Sequence, residues 1–310
     1  HTLGTASSQR HGLLYLTLFL LSLGLVSVYS SSSMYGLRSY GDAEHFLKAQ
    51  TLWILAGLLA LWICMQLPSE WFLRHAGWVF VLAIALCLLV LFPALGRKVG
   101  GARRWLSMGS FTLQPSEIAK IAVVLLVAAV LHSHEERKER RRAYLLIPVL
   151  VAQLPVALVL AEPDLGTAIV IELVVASMVF AAGLRFRALL LLGLGCLPLL
   201  LYFLIGTPFR LRRLLGFLDP WAYRQTVGYQ ITESLISIGT GGITGAGLGE
   251  GKQKLFFLPE AHTDFIFSIY AEELGLLGVA VLILGFALLI WKGFAIALAA
   301  PEGGKKYLAV

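Results

Sequence analysis

Charge is what this chain has least of. Of its 310 residues, 58% are hydrophobic and only 14% are charged, where a soluble domain carries about 25% charged residues. The length would fit two soluble domains, but the apolar runs exclude that. Crossing the hydrocarbon core takes roughly 20 apolar residues in a helix, and such runs recur here. Cysteine is scarce as well. Cys64, Cys87 and Cys196 all sit inside apolar runs with no close pairing, which excludes a disulfide frame or a thiolate metal site. The first apolar run has no strongly basic lead and no A-x-A-like site, so it is expected to be a retained span and not a cleaved leader. The opening "HTLGTASSQ" has no initiator Met and carries no weight. The glycine-rich "TGGITGAGLGEG" lacks the G-K-[ST] ending of a P-loop, so it does not cradle phosphate in that way. No internal repeat or low-complexity tract is evident.

What is present is a series of helical spans, the element that satisfies its own backbone in lipid. They are expected at about 12–30, 47–67, 77–95, 116–132, 144–162, 167–184, 188–206 and 265–291. The fold class is therefore all-α: a polytopic membrane helix bundle, read as a single domain over 1–310. The final "PEGGKKYLAV" reads as a membrane entry cut short.

Basic short loops face the cytoplasm. The densest positive cluster is Arg137, Lys138, Arg140, Arg141 and Arg142. Counting spans from it puts the N-terminus inside and the loops at 31–46, 96–115, 163–166 and 207–264 outside. Those outside loops and their span ends nevertheless hold many cations, among them Arg38, Lys48, Arg97, Lys98, Arg103, Arg104, Arg210, Arg212, Arg213, Arg224, Lys252 and Lys254. Three causes fit: a different topology, contact with lipid headgroups, or an outward site for an anion. The outside segment 207–264 is longer than a connection needs, and long ordered loops tend to carry function.

Ionisable groups within spans usually face a partner or a cavity. Glu117 and Lys120 are three apart in "QPSEIAKIAVVLLVAAVL", so on a helix they share a face and can pair. That pair either fixes the helix start or lines an outward cavity. Pro115 at the first helical position, with Gln114 or Ser116 near the cap, supports a helix beginning there. Glu162 and Asp164 flank Pro163 at a tight outside turn, where Asp164 can cap the next helix. Glu172 lies deeper, and its role is open between packing and relay. In "LPEAHTDFIF" (258–267), Asp264 stands directly before an apolar segment. An Asp in that place is a preferred N-cap. Alternatively Thr263 caps, and Asp264 is free for chemistry at the membrane surface.

The stretch "GYQITESLISIGTGGITGAGLGEGKQKLFFLPEAHTDFIFSIYAEELG" (228–275) resembles the SEDS family, named for shape, elongation, division and sporulation. "GARRWLSMGSFTLQPSEIAK" (101–120) and "PDLGTAI" (163–169) agree with it, in family order along the chain. "AEELG" at 271–275 is closer to the family's RodA branch than to its FtsW branch. The resemblance implies a fold of ten membrane helices, of which about eight are present here. It implies a peptidoglycan glycosyltransferase that polymerises lipid II at the outer face of the bacterial cytoplasmic membrane, serving elongation and cell shape. A lipid II flippase, or a scaffold for a cell-wall transpeptidase, is the alternative. Implied partners are lipid II, the lipid-linked glycan and a class B penicillin-binding protein, with no nucleic acid. By the same resemblance Asp264 matches the essential aspartate, and Glu117 and Lys120 match the paired charges of the fourth span. Arg104 matches the "RW" arginine, Lys48 a basic position before Gln, and Asp164 the "PDLG" aspartate. His262 and Glu260 are expected to orient the loop.

The implied reaction needs a base for a sugar hydroxyl and cations for a departing diphosphate, which Arg grips in bidentate fashion. That would account for the basic excess outside. A divalent cation could assist or substitute, but no dedicated ligand cluster is visible.

Overall fold

The computed structural model describes residues 2–99, 102–108, 111–136, 142–206, 208–255, 257–300 and 304–309. The basic stretch at 137–141 lies outside them, as do the side chains of Arg142, Cys196, Arg210 and Lys305. In chain order the helices are α1 (Thr2–Tyr40), α2 (His45–Gln66), α3 (Ser69–Leu91), α4 (Pro115–Glu136), α5 (Leu146–Ala161) and α6 (Leu165–Ala181). After them come α7 (Phe186–Ile205), α8 (Pro208–Leu218), α9 (Tyr229–Gly241), α10 (Ile266–Ala299) and α11 (Gly304–Ala309).

Each of the eight expected spans falls on a helix, but the third is shifted: α3 runs Ser69–Leu91, where 77–95 was expected. Five are long and apolar enough to cross a membrane: His11–Tyr40, His45–Gln66, Ser69–Leu91, Pro115–His134 and Ile266–Ala299. Leu146–Ala161, Leu165–Ala181 and Phe186–Gly195 are shorter apolar helices. At 16 residues, α5 is about 24 Å long, shorter than a hydrocarbon core of about 30 Å.

Three features depart from the sequence reading. First, α1 continues through the serines to Tyr40, so the connection to α2 is a four-residue turn at 41–44 and not a loop from 31. Serine normally competes with helix backbone for hydrogen bonds. Here the hydroxyls of Ser22, Ser27 and Ser31 donate to helix carbonyls one turn back, which leaves the helix intact. Second, the fold is not purely helical. The segment 96–113 forms an antiparallel sheet in the order β1 (Gly96–Val99), β2 (Ala102–Met108) and β3 (Phe111–Leu113). Leu106 pairs with Gly96 on one side and Leu113 on the other. The register shifts between Arg97 and Lys98, which pair with Trp105 and Arg103, so Arg104 is the extra residue of a β-bulge, a device that re-aims a side chain. Ala102 and Leu106 are buried, and β2 packs on α3 and α4. Third, 207–264 is not an open loop, because it holds α8 and α9.

The chain divides into two compact units, His1–Met65 with Leu201–Lys292, and Gln66–Leu200 with Gly293–Val310. The second unit has its core between α4, α5 and α6, where Val123, Val127, Leu131, Val156, Val159, Ile171, Val175 and Met178 are buried. Ala128, Ala152 and Ala168 let these helices approach closely, as small residues do in membranes. In the first unit a smaller cluster of Leu258, Ala261 and Ile269, with Phe265 against it, ties the turns before α10 to that helix's first turn. Within α10 the backbone breaks at Gly275 (φ 62, ψ −165).

Candidate functional site

In the first unit, Asp264 lies in the turns just before α10 begins at Ile266. It is exposed, and among the described residues its carboxylate takes part in no hydrogen bond or ion pair. Thr263 is not the cap of α10. Its hydroxyl donates back to the carbonyl oxygen of Glu260 (3.3 Å) and to Glu260 Oε2 (3.1 Å). Glu260 adopts φ 55, in the left-handed region that costs a non-glycine residue, so the turn is tight and closed on itself. His262 stacks on Tyr35 of α1 with ring centroids 4.6 Å apart and leans on Phe46 of α2 at 4.9 Å. Tyr35 and Phe46 also touch, with centroids 5.8 Å apart, so His262 completes a three-ring aromatic cluster.

Lys48 forms no ion pair with Asp264 among the described residues. Its ammonium pairs with Asp42 at 2.8 Å and Glu44 at 3.5 Å across the α1–α2 turn. That hydrogen bond holds the Asp42 carboxyl below the usual carboxylate range.

Two buried carboxylates in this unit escaped the sequence reading. Glu272 and Glu273 are 4% and 2% exposed. Lys254 joins Glu273 at 2.6 Å, and Ser30 of α1 reaches both oxygens of Glu273. Two adjacent acids at the mouth of an apolar helix were the available signal, since they cannot both be solvated there. A cavity of about 570 Å³ adjoins this cluster, lined by Tyr29, Ser30, Ser33, Gly249, Lys252 and Lys254 among others. Asp264 does not line it.

In the second unit, Glu117 and Lys120 form the expected pair at 2.9 Å in the first turns of α4, with side chains 56% and 33% exposed. Pro115 opens that helix. Asp164 is the N-cap of α6, accepting from the Thr167 backbone N–H (3.2 Å) and hydroxyl (3.0 Å). Arg104, from β2, clasps the α5–α6 turn. It donates to the carbonyl oxygens of Glu162 (3.2 Å) and Pro163, and lies 3.9 Å from Asp164 Oδ2. Pro163 sits at φ 32, so the clasp holds a strained turn. Arg104 and Asp164 are therefore both committed to the α5–α6 turn. Glu162, inside the same turn, is fully buried, with the Cys87 thiol beside its carboxylate and no hydrogen bond of ordinary geometry to either oxygen among the described residues. Glu172 accepts from Gln153 at 2.8 Å across α5 and α6, which fits a packing role. No three His, Cys, Asp or Glu side chains converge on a common point among the described residues.

A polytopic helical bundle with carboxylates and cations at its helix starts defines a class of integral membrane protein. The comparisons name the family. The FtsW, RodA and SpoVE family, described as "Cell cycle protein", matches residues 11–310, and the chain belongs to it. This is the SEDS family suggested by segments 101–120, 163–169 and 228–275. A relative from Coxiella burnetii named "Probable peptidoglycan glycosyltransferase FtsW" is 40% identical over 94% of this chain and 79% of its own length. One of the same name from Trichlorobacter lovleyi is 38% identical over 96% and 78%. Among solved structures, one titled "Structural coordination of polymerization and crosslinking by a peptidoglycan synthase complex" superposes with TM-score 0.74. It is 30% identical and covers 96% of this chain and 81% of the other. The rod shape determining protein RodA of Thermus thermophilus gives TM-score 0.67 at 27% identity, covering 96% and 78%.

Proposed function

We propose that this protein is a peptidoglycan glycosyltransferase that polymerises lipid II into glycan strands at the outer face of the bacterial cytoplasmic membrane. Family membership and the relatives' names support the reaction class. The observation that carries the mechanism is Asp264, an exposed carboxylate, unpaired among the described residues, on a closed turn at the mouth of an apolar helix. Such a group accepts the proton of a sugar 4-hydroxyl as that oxygen attacks the anomeric carbon of the lipid-linked chain. A positioned base contributes about 10²–10⁴-fold. The bond that breaks releases a diphosphate, already a stable anion. It therefore needs cations and no second carboxylic acid, unlike a hydrolysed glycoside. Within the first unit, His262 orients the Asp264 turn and Lys48 orders the α1–α2 turn. Within the second, Lys120, set by Glu117, is the candidate anion ligand, and Arg104 and Asp164 hold the α5–α6 turn.

The cellular role follows the relatives' names. FtsW-named proteins match at 36–40% identity, and this favours cell division over the elongation role suggested by "AEELG". The partner is a class B penicillin-binding protein, in keeping with the synthase complex among the similar structures. The deciding test is purified protein with lipid II in detergent, with and without that partner. Glycan polymer formed there, with no second compartment, supports the enzyme. No polymer there, together with lipid II translocation by the same protein in sealed proteoliposomes, would make it a flippase, and activity confined to the partner would make it a scaffold. Rescue of a division-depleted strain, and not of an elongation-depleted one, checks the role.

A further inference from the structure

We infer that Glu272, Glu273 and Lys254 form a buried clamp that positions the Asp264 turn for catalysis. The inference rests on the reading of Asp264 as the base. Its starting point is cost. Two carboxylates and an ammonium, each at most 8% exposed, have been taken out of water. A buried ion pair is a poor way to gain stability, because desolvation consumes most of the attraction. Their placement shows what they hold.

Glu272 captures backbone. Its Oε1 accepts from the Lys252 N–H at 2.8 Å, the Gln253 N–H lies 3.4 and 3.3 Å from its two oxygens, and Oε2 accepts from the Ser237 hydroxyl at 3.2 Å. Glu273 captures side chains. The Lys254 ammonium reaches its Oε1 at 2.6 Å and the Ser30 oxygen at 3.1 Å, while the Ser30 hydroxyl donates to the carboxylate. The same two residues also hold the preceding turn through their carbonyls, which accept from the N–H groups of Ala246 (2.9 Å) and Gly247 (3.0 Å). Packing leaves no slack. A Cβ at Gly251 would stand 3.1 Å from Glu272 Oε2 and 3.1 Å from Glu273 Cγ.

Lys252–Lys254 and Glu272–Glu273 are thus the two feet of one loop, with Asp264 between them. Inside that loop Leu258 and Ala261 pack on Ile269, and the Tyr229 hydroxyl donates to the Phe257 carbonyl at 2.8 Å. Glu272 stands about 9 Å along the axis from Ile266 at 1.5 Å per residue. The clamp therefore touches none of the reacting groups and acts only by closing the loop that carries the base. A loop tied at its feet and packed by its own side chains holds its tip without a direct partner, which is how Asp264 stays both unpaired and placed.

The test uses the full chain with its partner in detergent, reading hydrogen–deuterium exchange in 257–265 and steady-state polymerisation of lipid II. Glu273→Gln strands the Lys254 ammonium. Exchange in 257–265 is expected to rise at least about tenfold while α2 is unchanged. In the same variant kcat falls by about tenfold or more and the KM for lipid II stays within about twofold. The neutral pair Lys254→Gln with Glu273→Gln restores both readings to within about threefold, because it removes both charges and keeps the shape. If Glu273→Gln does not fold, Glu272→Gln supplies the same readings, with α2 exchange as the control. Unchanged exchange in 257–265 overturns the clamp, and so does a fall in kcat that the neutral pair does not relieve. Asp264→Asn separates the two ideas. Full turnover there removes the base and with it the catalytic meaning of the clamp. Lost turnover there, with unchanged exchange in the clamp variants, overturns the clamp alone.

Discussion

At the scale of single residues, the chemistry depends on which charged groups are already spent. Arg104 is spent on the carbonyls of the α5–α6 turn, and Lys48 on Asp42 and Glu44. Asp264 is not spent on any described residue. Asp264→Asn keeps its shape and removes its basicity. Polymer formation is expected to fall by at least about 10²-fold, while stability changes by no more than about 0.5 kcal/mol, as for an exposed site. Thermal unfolding beside the lipid II assay checks both. The Glu117–Lys120 pair is partly exposed, so its contribution to stability is under about 1 kcal/mol. Lys120→Ala should nevertheless lower turnover far more than Arg74→Ala, a change at another exposed cation. Equal effects would return the pair to a structural role. Glu162 presents the opposite case, a buried carboxylate without a hydrogen bond of ordinary geometry among the described residues. Glu162→Gln keeps its volume and removes its charge, and the unfolding temperature is expected to hold or rise. A marked fall would mean that the carboxylate meets a cation there. Sequence spacing showed the Glu117–Lys120 pair and the Asp164 cap because those contacts are local. It could not show Ser30 on Glu273, a contact between residues 243 apart.

At the scale of elements, two backbone arrangements carry the architecture. Where α10 breaks at Gly275, the loop after α9 takes over its hydrogen bonds: Leu276 N–H donates to Gly242 and Leu277 N–H to Ile243. A Cβ on Gly275 would meet Gly245 N at 2.3 Å, and its φ of 62 costs an L-residue roughly 1–2 kcal/mol. Gly275→Ala is therefore expected to destabilise the first unit by more than that strain alone. Exchange protection in α9 and α10 is the measurement. At the start of α6, Asp164→Ala removes a cap worth about 1 kcal/mol and frees Arg104 from its nearby carboxylate. Lower stability, with turnover reduced only through the loosened turn, is the expected result. The sheet at 96–113 was hidden in the sequence because basic residues interrupt its apolar positions and because a β-bulge at Arg104 breaks the alternation between Ala102 and Leu106.

At the scale of the whole molecule, the sequence's excess of cations outside acquires structural partners for several of its members. Arg224 pairs with Glu233 at 3.1 Å and lies over Trp221, Lys254 with Glu273, Arg104 with the turn at 162–164. Part of that basic charge is internal architecture, which lowers the number of cations left for a diphosphate and makes Lys120 the more significant. Orientation is open to direct measurement. A single cysteine placed at Thr263, in a background without native cysteines, is expected to react with a membrane-impermeant maleimide in intact spheroplasts. Labelling only after lysis would invert the topology and move the proposed site to the cytoplasm.

The sequence by itself determined that this is a multi-span helical membrane protein, which eight stretches are apolar helix, and which family it resembles. Those properties follow from composition, from hydropathy and from spacings of three or four residues, all readable within one segment. Tertiary structure decided where several helices begin and which charges are committed. Only folding brings Ser30 and Lys254 to Glu273, sets Arg104 on the α5–α6 turn, and leaves Asp264 unpaired among the described residues, because burial and long-range proximity are not properties of any single segment.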